Sequence, residues 1–588
     1  MKKNLIAAAA AVFMLSPAAQ AWTDTISGID VSLQNKLSVG AAWRLEARDP
    51  DRVGIGNRAD NGGEGNAFST NGDDGNLAFD KGDLVSAAAK ITSDLTLSRG
   101  RYGVFVRGSY LFNQELRNHD FFDADDYGVG KEAPLSELAF KNKTVRDFVG
   151  NNADLLDAYV FGSFDIAGRA AAFKIGRQVI NWGESTFVLH GINSLLTFNQ
   201  NRQRVPGFEI EELLLPNAFA WGSLSVADGV GLEFFYQLHW EPTEPDASGT
   251  YWSTNDFAGK GGTRANIGFG LRDENTPGTT IPRDPNREPS DSGQYGGRLS
   301  FLVPALNDMD VSLYAMNYHS RLPVISGISK QTFAEPAVQN GRYFLEYPED
   351  IQLYGVSFNT ALGDYSFQGE YSYKVDQPLQ IDDVEVLLAG VGLPSQLTPP
   401  PCPQLGCALG GNYLRGWRHH DVSQADVGLT RIFGPNAFAG WDQLTFLAEA
   451  AAVYVHDLPP ESVLRYEGPG TYRPGDAFAA AFVSNALGVT GTPLQIDAEP
   501  GGYATDFSWG YKLLARASYN NVFGVLRIEP QLRFDHDVEG VTPTPILNFI
   551  QNRKQLTASV GAFYLQSWSI ETAYTRYWGG GAGNLLSD

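Results

Sequence analysis

The chain has 588 residues, with 67 acidic against 44 basic side chains for a formal charge of −23, and it carries 64 glycines, 35 phenylalanines, 25 tyrosines and 11 tryptophans but 4 methionines. So acidic a chain does not suit nucleic acid, whose phosphates need a basic surface. The balance of aromatics and glycine suits a sheet with aromatic girdles and tight turns better than a helical core.

The chain opens with Lys2 and Lys3, an apolar run from Leu5 to Leu15 and the small-residue exit Ala19-Gln20-Ala21. These are the three parts of a secretory signal peptide. Residues 1–21 are expected to be cleaved, leaving Trp22 as the mature start and 22–588 as one domain. No later stretch offers the roughly 20 consecutive apolar residues of a spanning helix.

The first strand predicted, over 29–45, sets Ile29, Val31, Leu33, Leu37, Val39, Ala41, Trp43 and Leu45 against Asp30, Ser32, Gln34, Lys36, Ser38 and Arg44. One face is oily and the other wet. Strand pattern recurs over 84–97, 102–112, 155–164, 170–180, 219–226, 230–240, a strand ending at Leu302, then 309–318, 351–361, 365–375, 423–433, 443–456, 507–519, 523–537, 556–564 and 568–578, which makes 17 strands. Links as short as 98–101 or 227–229 alternate with loops as long as 49–83, 113–152 and 241–292. That is the rhythm of an outer-membrane barrel, with turns in the periplasm and long loops outside. The predicted fold is all-β: a large antiparallel transmembrane β-barrel of about 16–18 strands with long extracellular loops. The loops at 114–150 and 457–505 have room for short helices or for folding into the lumen.

The stretch from Lys174 to Trp240 is the least barrel-like. Arg177, Gln178, Asn181, Trp182 and Glu184 bring a cation, amides, an indole and a carboxylate within eight residues. Strict alternation puts Arg177 on the apolar face with Ala171, Phe173 and Ile175, where an arginine at mid-depth costs about 2–4 kcal/mol. Either a bulge at Gly176 re-aims it, or the strand has reached its rim. Both place these five residues at the channel mouth as binding candidates; the alternative is an ordinary extracellular loop.

The wet faces of later strands assign further side chains to the lumen: Glu233, Gln237 and His239 opposite Phe234, Tyr236, Leu238 and Trp240, then Lys512 and Arg516, then Arg527, Glu529, Arg533 and Asp535. These charges either select solutes or brace the wall by pairing across strands. Cys402 and Cys407 stand five apart in a proline-rich loop. In an exported chain they are expected to form a local disulfide, with a metal site involving His419 and His420 as the lesser alternative.

Two function classes besides a channel are open. Asp60-Asn61-Gly62-Gly63-Glu64-Gly65-Asn66 and Asn71-Gly72-Asp73-Asp74-Gly75-Asn76 offer oxygen ligands to a cation, without the spacing of a calcium hand. A structural or cation-binding barrel would use them. An outer-membrane hydrolase would draw on His190 near Ser185 and Ser194, or His319 beside Ser320, but no Gly-x-Ser-x-Gly elbow occurs. No enzyme activity and no cofactor is expected.

Gly176-Arg177-Gln178, Trp182-Gly183-Glu184-Ser185, Gly191-Ile192-Asn193, Pro206-Gly207, Leu215-Pro216, Glu233, Phe235-Tyr236-Gln237, Trp240 and Gly249-Thr250-Tyr251, with Arg415-Gly416-Trp417 and His456-Asp457-Leu458-Pro459 later, resemble a large proteobacterial family of outer-membrane proteins filed as a domain of unknown function. Family members carry Asn-Pro soon after Gly-Ile-Asn and Lys-Glu before Leu-Pro, where this chain has Phe198-Asn199-Gln200 and Glu211-Glu212. The resemblance implies a porin-like channel in the Gram-negative outer membrane, among lipid and lipopolysaccharide. It would move small solutes, hydrophobic ones among them, beside an exporter and an outer-membrane lipoprotein-like partner. It also implies one more strand ending in an aromatic residue. Seventeen strands would leave the last one running outward into Gly579-Gly580-Gly581, so either a closing strand lies beyond Asp588 or one strand is miscounted in a 16-strand barrel. Antiparallel pairing of 29–45 with 568–578 would refute the missing strand.

Overall fold

The computed structural model describes residues 22–121, 135–272, 278–333, 341–397, 405–406, 408–565 and 567–586. Eighteen strands form one antiparallel sheet in which each strand is bonded to its neighbours in sequence. They are β1 (Trp22–Ile26), β2 (Ile29–Trp43), β3 (Leu84–Arg99), β4 (Tyr102–Asn113), β5 (Asn151–Ile166), β6 (Arg169–Gln178), β7 (Asn217–Ala227), β8 (Val230–His239) and β9 (Tyr295–Val303). The second half comprises β10 (Met309–Tyr318), β11 (Ile351–Leu362), β12 (Tyr365–Gln380), β13 (Trp417–Phe433), β14 (Gln443–Val455), β15 (Phe507–Val522), β16 (Leu526–Glu539), β17 (Lys554–Tyr564) and β18 (Trp568–Trp578).

The alternation explains the wall. Leu37, Val39 and Trp43 of β2 are 56–62% exposed, and Phe234 and Leu238 of β8, Leu313 of β10 and Leu532 of β16 share that outward exposure. Water would not tolerate so extended an apolar belt, and hydrocarbon requires one. The fold is a transmembrane β-barrel.

The expected count of 17 is corrected to 18 by β1. Five residues, Trp22 to Ile26, are too few for alternation to reveal. They fold back on β2 in register from Ile26↔Ile29 to Trp22↔Leu33. The turn needs two positive φ angles, which Ser27 (54°) and Gly28 (77°) supply. Among the described residues β18 pairs with β17 and has no ladder to β1, so the antiparallel contact that would refute a missing strand is absent although the count is even. Among the described residues, β2 pairs with β1 and β3 and has no ladder to β18. The two ends of the sheet are bridged above by Arg52, whose guanidinium donates to the carbonyls of Ala582 (2.8 Å) and Gly581 (2.9 Å). The expected strand beyond Asp588, the signal peptide and both cysteines lie outside the described residues.

The long loops are built structures. Helices Leu135–Val145 and Ala477–Ala486 occupy the two loops with room for them, and Val324–Ile328, Arg342–Glu346 and Tyr413–Leu414 form a separate three-stranded sheet. Val384 and Leu388 of the helix Asp383–Val391 join Ala479, Ala480 and Val483 in one apolar core.

Trp240 is a correction. The β7–β8 register shifts between Ala218 and Phe219, β8 ends at His239, and Trp240 turns inward to 4% exposure, its indole N–H donating to the carbonyl of Ser320 at 3.2 Å. One extra residue at the rim reverses the face that strict alternation assigns.

Candidate functional site

Between β6 and β7, residues 179–216 enter the lumen and run from wall to wall as a strap. One end is held by carboxylates. Glu370 of β12 accepts from the backbone N–H groups of Glu184 (2.6 Å), Ser185 (3.1 Å) and Ile192 (3.0 Å). Glu449 of β14 accepts from those of Thr186 (2.9 Å), Phe187 (2.9 Å) and Val188 (2.8 Å). A carboxylate taking three backbone donors is a strong fixed anchor. The strap's carbonyls are held as well: Lys512 of β15 donates to that of Phe187 (3.2 Å), Gln424 of β13 to that of Leu189 (3.1 Å), and Lys374 of β12 to that of His190.

The other end meets the opposite wall. Glu212 pairs with Lys90 of β3 and accepts from Thr92, with both charged partners buried. Arg202 pairs with Asp154 of β5. A Cβ on Gly40 of β2 would lie 2.6 Å from that of Pro206, so a glycine is needed for the strap to lie against this strand. Between the ends, Ile180, Trp182, Ile192 and Leu195 pack on Phe219, Phe235, Tyr314 and Leu353 of the wall. Part of the interior is therefore an apolar core, against the polar lumen expected throughout.

The five candidate mouth residues do not converge on one site. Arg177 is ion-paired with Glu241. Gln178 is buried and donates to the carbonyls of Lys174 and Phe219 (both 3.2 Å), and Asn181 is exposed. Trp182 is buried beside Phe235 and Tyr314 and donates to Glu233 at 3.1 Å. Glu184 accepts from Asn359 at 3.0 Å, and burial pushes its carboxyl up from the ordinary range. The β5–β6 register is unbroken through Gly176 and β6 ends one residue past Arg177, so the arginine sits at a strand's rim and there is no bulge.

The candidate lumen residues mostly work in pairs. Arg527 pairs with Glu529 (3.2 Å) and Arg533 with Asp535 (2.8 Å), each along its own strand, while Arg298 of β9 bonds Glu233 (3.1 Å). Arg533 also stands 4.7 Å from the centre of the Phe187 ring. Gln237 is fully buried and accepts from Arg321 at 2.6 Å. His239 is at the rim with Asp291 (2.9 Å), and Arg516 is exposed.

What the strap leaves open lies against β4–β6. A cavity of about 240 Å³, open to solvent, is lined by Phe105, Arg107, Asp157, Tyr159, Lys174 and Glu211, among others. Arg107 makes two bonds to Asp94 (2.7 and 2.8 Å) and lies 3.4 Å from Asp157. The Lys174 ammonium sits 5.3 Å from the Tyr159 ring centre and 5.7 Å from that of Trp221. Sequence reading missed this surface. The signal was present: Phe105, Arg107, Asp157 and Tyr159 occupy inward positions of two predicted strands.

The hydrolase residues are otherwise engaged. Burial and the Lys374 ammonium push the His190 imidazole down to about 3, far from a general base poised near 7. Ser194 donates to the carbonyl of Gly191 (2.7 Å) and Ser320 to that of Leu322 (2.8 Å).

Among solved structures, the chain is similar to OccAB1 of Acinetobacter baumannii at 10% identity, covering 98% of this chain and 96% of that one with a TM-score of 0.38. OccK1 (OpdK) of Pseudomonas aeruginosa matches at 10% identity, 94% and 93% coverage and 0.35, and OmpF of Salmonella typhi at 8%, 94% and 100%, and 0.35. No curated protein sequence matches. The profile of the family described as "Protein of unknown function (DUF1302)" spans residues 2–588, and with its motifs wrapped around the strap's anchors, the chain belongs to that family.

Proposed function

We propose that the protein is a porin-like channel of the Gram-negative outer membrane, passing small solutes along the space between the strap and the β4–β6 wall. The cavity beside Lys174 carries this reading, because it is where the strap leaves the barrel interior unfilled. Its lining joins paired charges to the aromatic faces of Phe105 and Tyr159, and Trp221 stands beside Lys174. Such a surface suits a small amphipathic solute with an apolar body and an anionic or polar end. The exposed apolar belt supports a surround of lipid and lipopolysaccharide. An exporter and a lipoprotein-like partner rest on the family resemblance alone.

The test is unitary conductance in a planar bilayer. The folded wild-type barrel should conduct, and Lys174→Glu should raise the cation-to-anion permeability ratio, read from the reversal potential in a salt gradient, several-fold. A folded barrel that does not conduct, or a selectivity indifferent to Lys174→Glu, overturns the reading.

A further inference from the structure

The outer loops 44–83 and 240–294 meet in a close seam. The amide of Asp256 donates to the carbonyl of Asn71 (2.8 Å) and that of Asp74 to Asp256 Oδ2 (3.2 Å). Gly72 and Gly75 let the backbones approach: a Cβ on Gly72 would stand 2.6 Å from the carbonyl oxygen of Thr254, and one on Gly75 would collide with that of Thr250.

Asp73, Asp74 and Asp256 face one another at this seam, each with one carboxylate oxygen within 4.8 Å of the other two. Asp73 is 1% and Asp256 7% exposed. Oδ2 of Asp73 accepts from the Gly54 amide (2.8 Å) and from Asn57 (3.0 Å), and Oδ2 of Asp256 from Asp74, yet Oδ1 of both is buried with no hydrogen-bond partner. Orphaned carboxylate oxygens in a protein interior are costly, and a cation is the usual remedy where no donor exists. A second acidic trio, Asp382, Asp383 and Glu467, is better supplied with donors: Glu467 accepts from the Asp383 amide (2.7 Å) and Asp382 from the Thr471 hydroxyl (3.3 Å), and one buried oxygen, Asp382 Oδ2, lacks a partner against two in the first trio. Buried Lys141 is a neighbouring cation acting on Asp74 and Asp256, but burial still pushes all three carboxyls up, so one lysine does not supply the countercharge that three ionised carboxylates need.

We propose that Asp73, Asp74 and Asp256 bind one calcium ion that staples loop 44–83 to loop 240–294. Oxygen-only ligation excludes a preference for zinc, which favours nitrogen and sulfur. Calcium–oxygen bonds of about 2.3–2.6 Å allow two ligands of one ion to stand about 5 Å apart, whereas magnesium demands a tighter octahedron and keeps its waters. The site is independent of what the channel passes.

The test uses the full-length barrel, stripped with chelator in detergent and checked for folding by heat-modifiable mobility. Calcium titration by calorimetry should give one ion per chain. Terbium should bind competitively with calcium and luminesce on excitation of Tyr251 and Trp252, which line the same cavity as Asp73. Asp73→Asn with Asp256→Asn should weaken binding at least tenfold, while Glu467→Gln leaves it unchanged. If the double variant does not fold, Asp74→Asn, at a half-buried position, serves instead. A folded wild-type barrel that binds no calcium, binding unaltered by these variants, or tighter binding of magnesium than of calcium overturns the proposal.

Discussion

Gly183 and Gly191 flank the Glu370 carboxylate so closely that a Cβ on either would collide with one of its oxygens. The motifs Trp182-Gly183-Glu184-Ser185 and Gly191-Ile192-Asn193 are thus two sides of one carboxylate cradle, 178 to 186 residues before the acid they hold. Sequence showed that the segment was special, but Glu370 sits in an ordinary alternating strand with no local mark of its partner. Glu449→Ala should leave three amides without their acceptor, each costing about 1–3 kcal/mol where water does not replace it. A lower thermal midpoint and a larger, noisier unitary conductance are the outcomes expected, with Glu449→Gln intermediate. Unchanged conductance would mean that the strap does not narrow the path.

At the scale of elements, every predicted strand is present, because each is long enough to repeat its pattern. The strap was opaque for the opposite reason: its short turns, Ile192–Leu195, Gln200–Gln203 and Ile210–Leu213, carry no period and take their shape from the walls they touch. Its far end should be the more fragile. Glu212→Ala strands the buried Lys90 ammonium, and losing one partner of a buried pair costs about 3–5 kcal/mol. Lys90→Met with Glu212→Leu should recover most of that loss in thermal unfolding. The helix Asp383–Val391 supplies a pH dependence. Burial raises the Asp383 carboxyl to about 6 and pushes Asp382 and Glu467 up as well, with Arg465, paired to Glu385, opposing this at Asp382. The folded state then holds protons that the unfolded chain has released above about pH 4, so stability falls as pH rises from there through about 6. Melting curves between pH 5 and pH 8 in chelator should show that fall, flattened by Glu467→Gln. A rise with pH would contradict it.

For the whole molecule, the outward and inward faces should separate chemically. Cysteines placed at Lys174 and Arg533 are expected to react with a water-soluble thiol reagent in intact outer membranes, and cysteines at Val39 and Leu532 to stay unreactive. The reverse pattern would invert the barrel's faces. The native pair Cys402 and Cys407 should gain two hydrogens on reduction, as intact mass would reveal. The antiparallel order of the wall was legible from the rhythm of turns and loops. The apolar filling around Trp182 was not, since Phe219 and Phe235 look like any other aromatic in an alternating strand until the strap lies over them.

The far end of the strap meets side chains already made, whereas its first half is made before the side chains that hold it. Ser185 leaves the ribosome 264 residues ahead of Glu449, and Phe187 precedes Lys512 by 325. Contacts at such separation form late, after the chain between them has been ordered. A hollow precursor, with the wall formed and the segment still undocked, is therefore expected before the mature state. Its wider bore should be detectable as a transient high-conductance population during refolding, decaying as the segment finds Glu370 and Glu449.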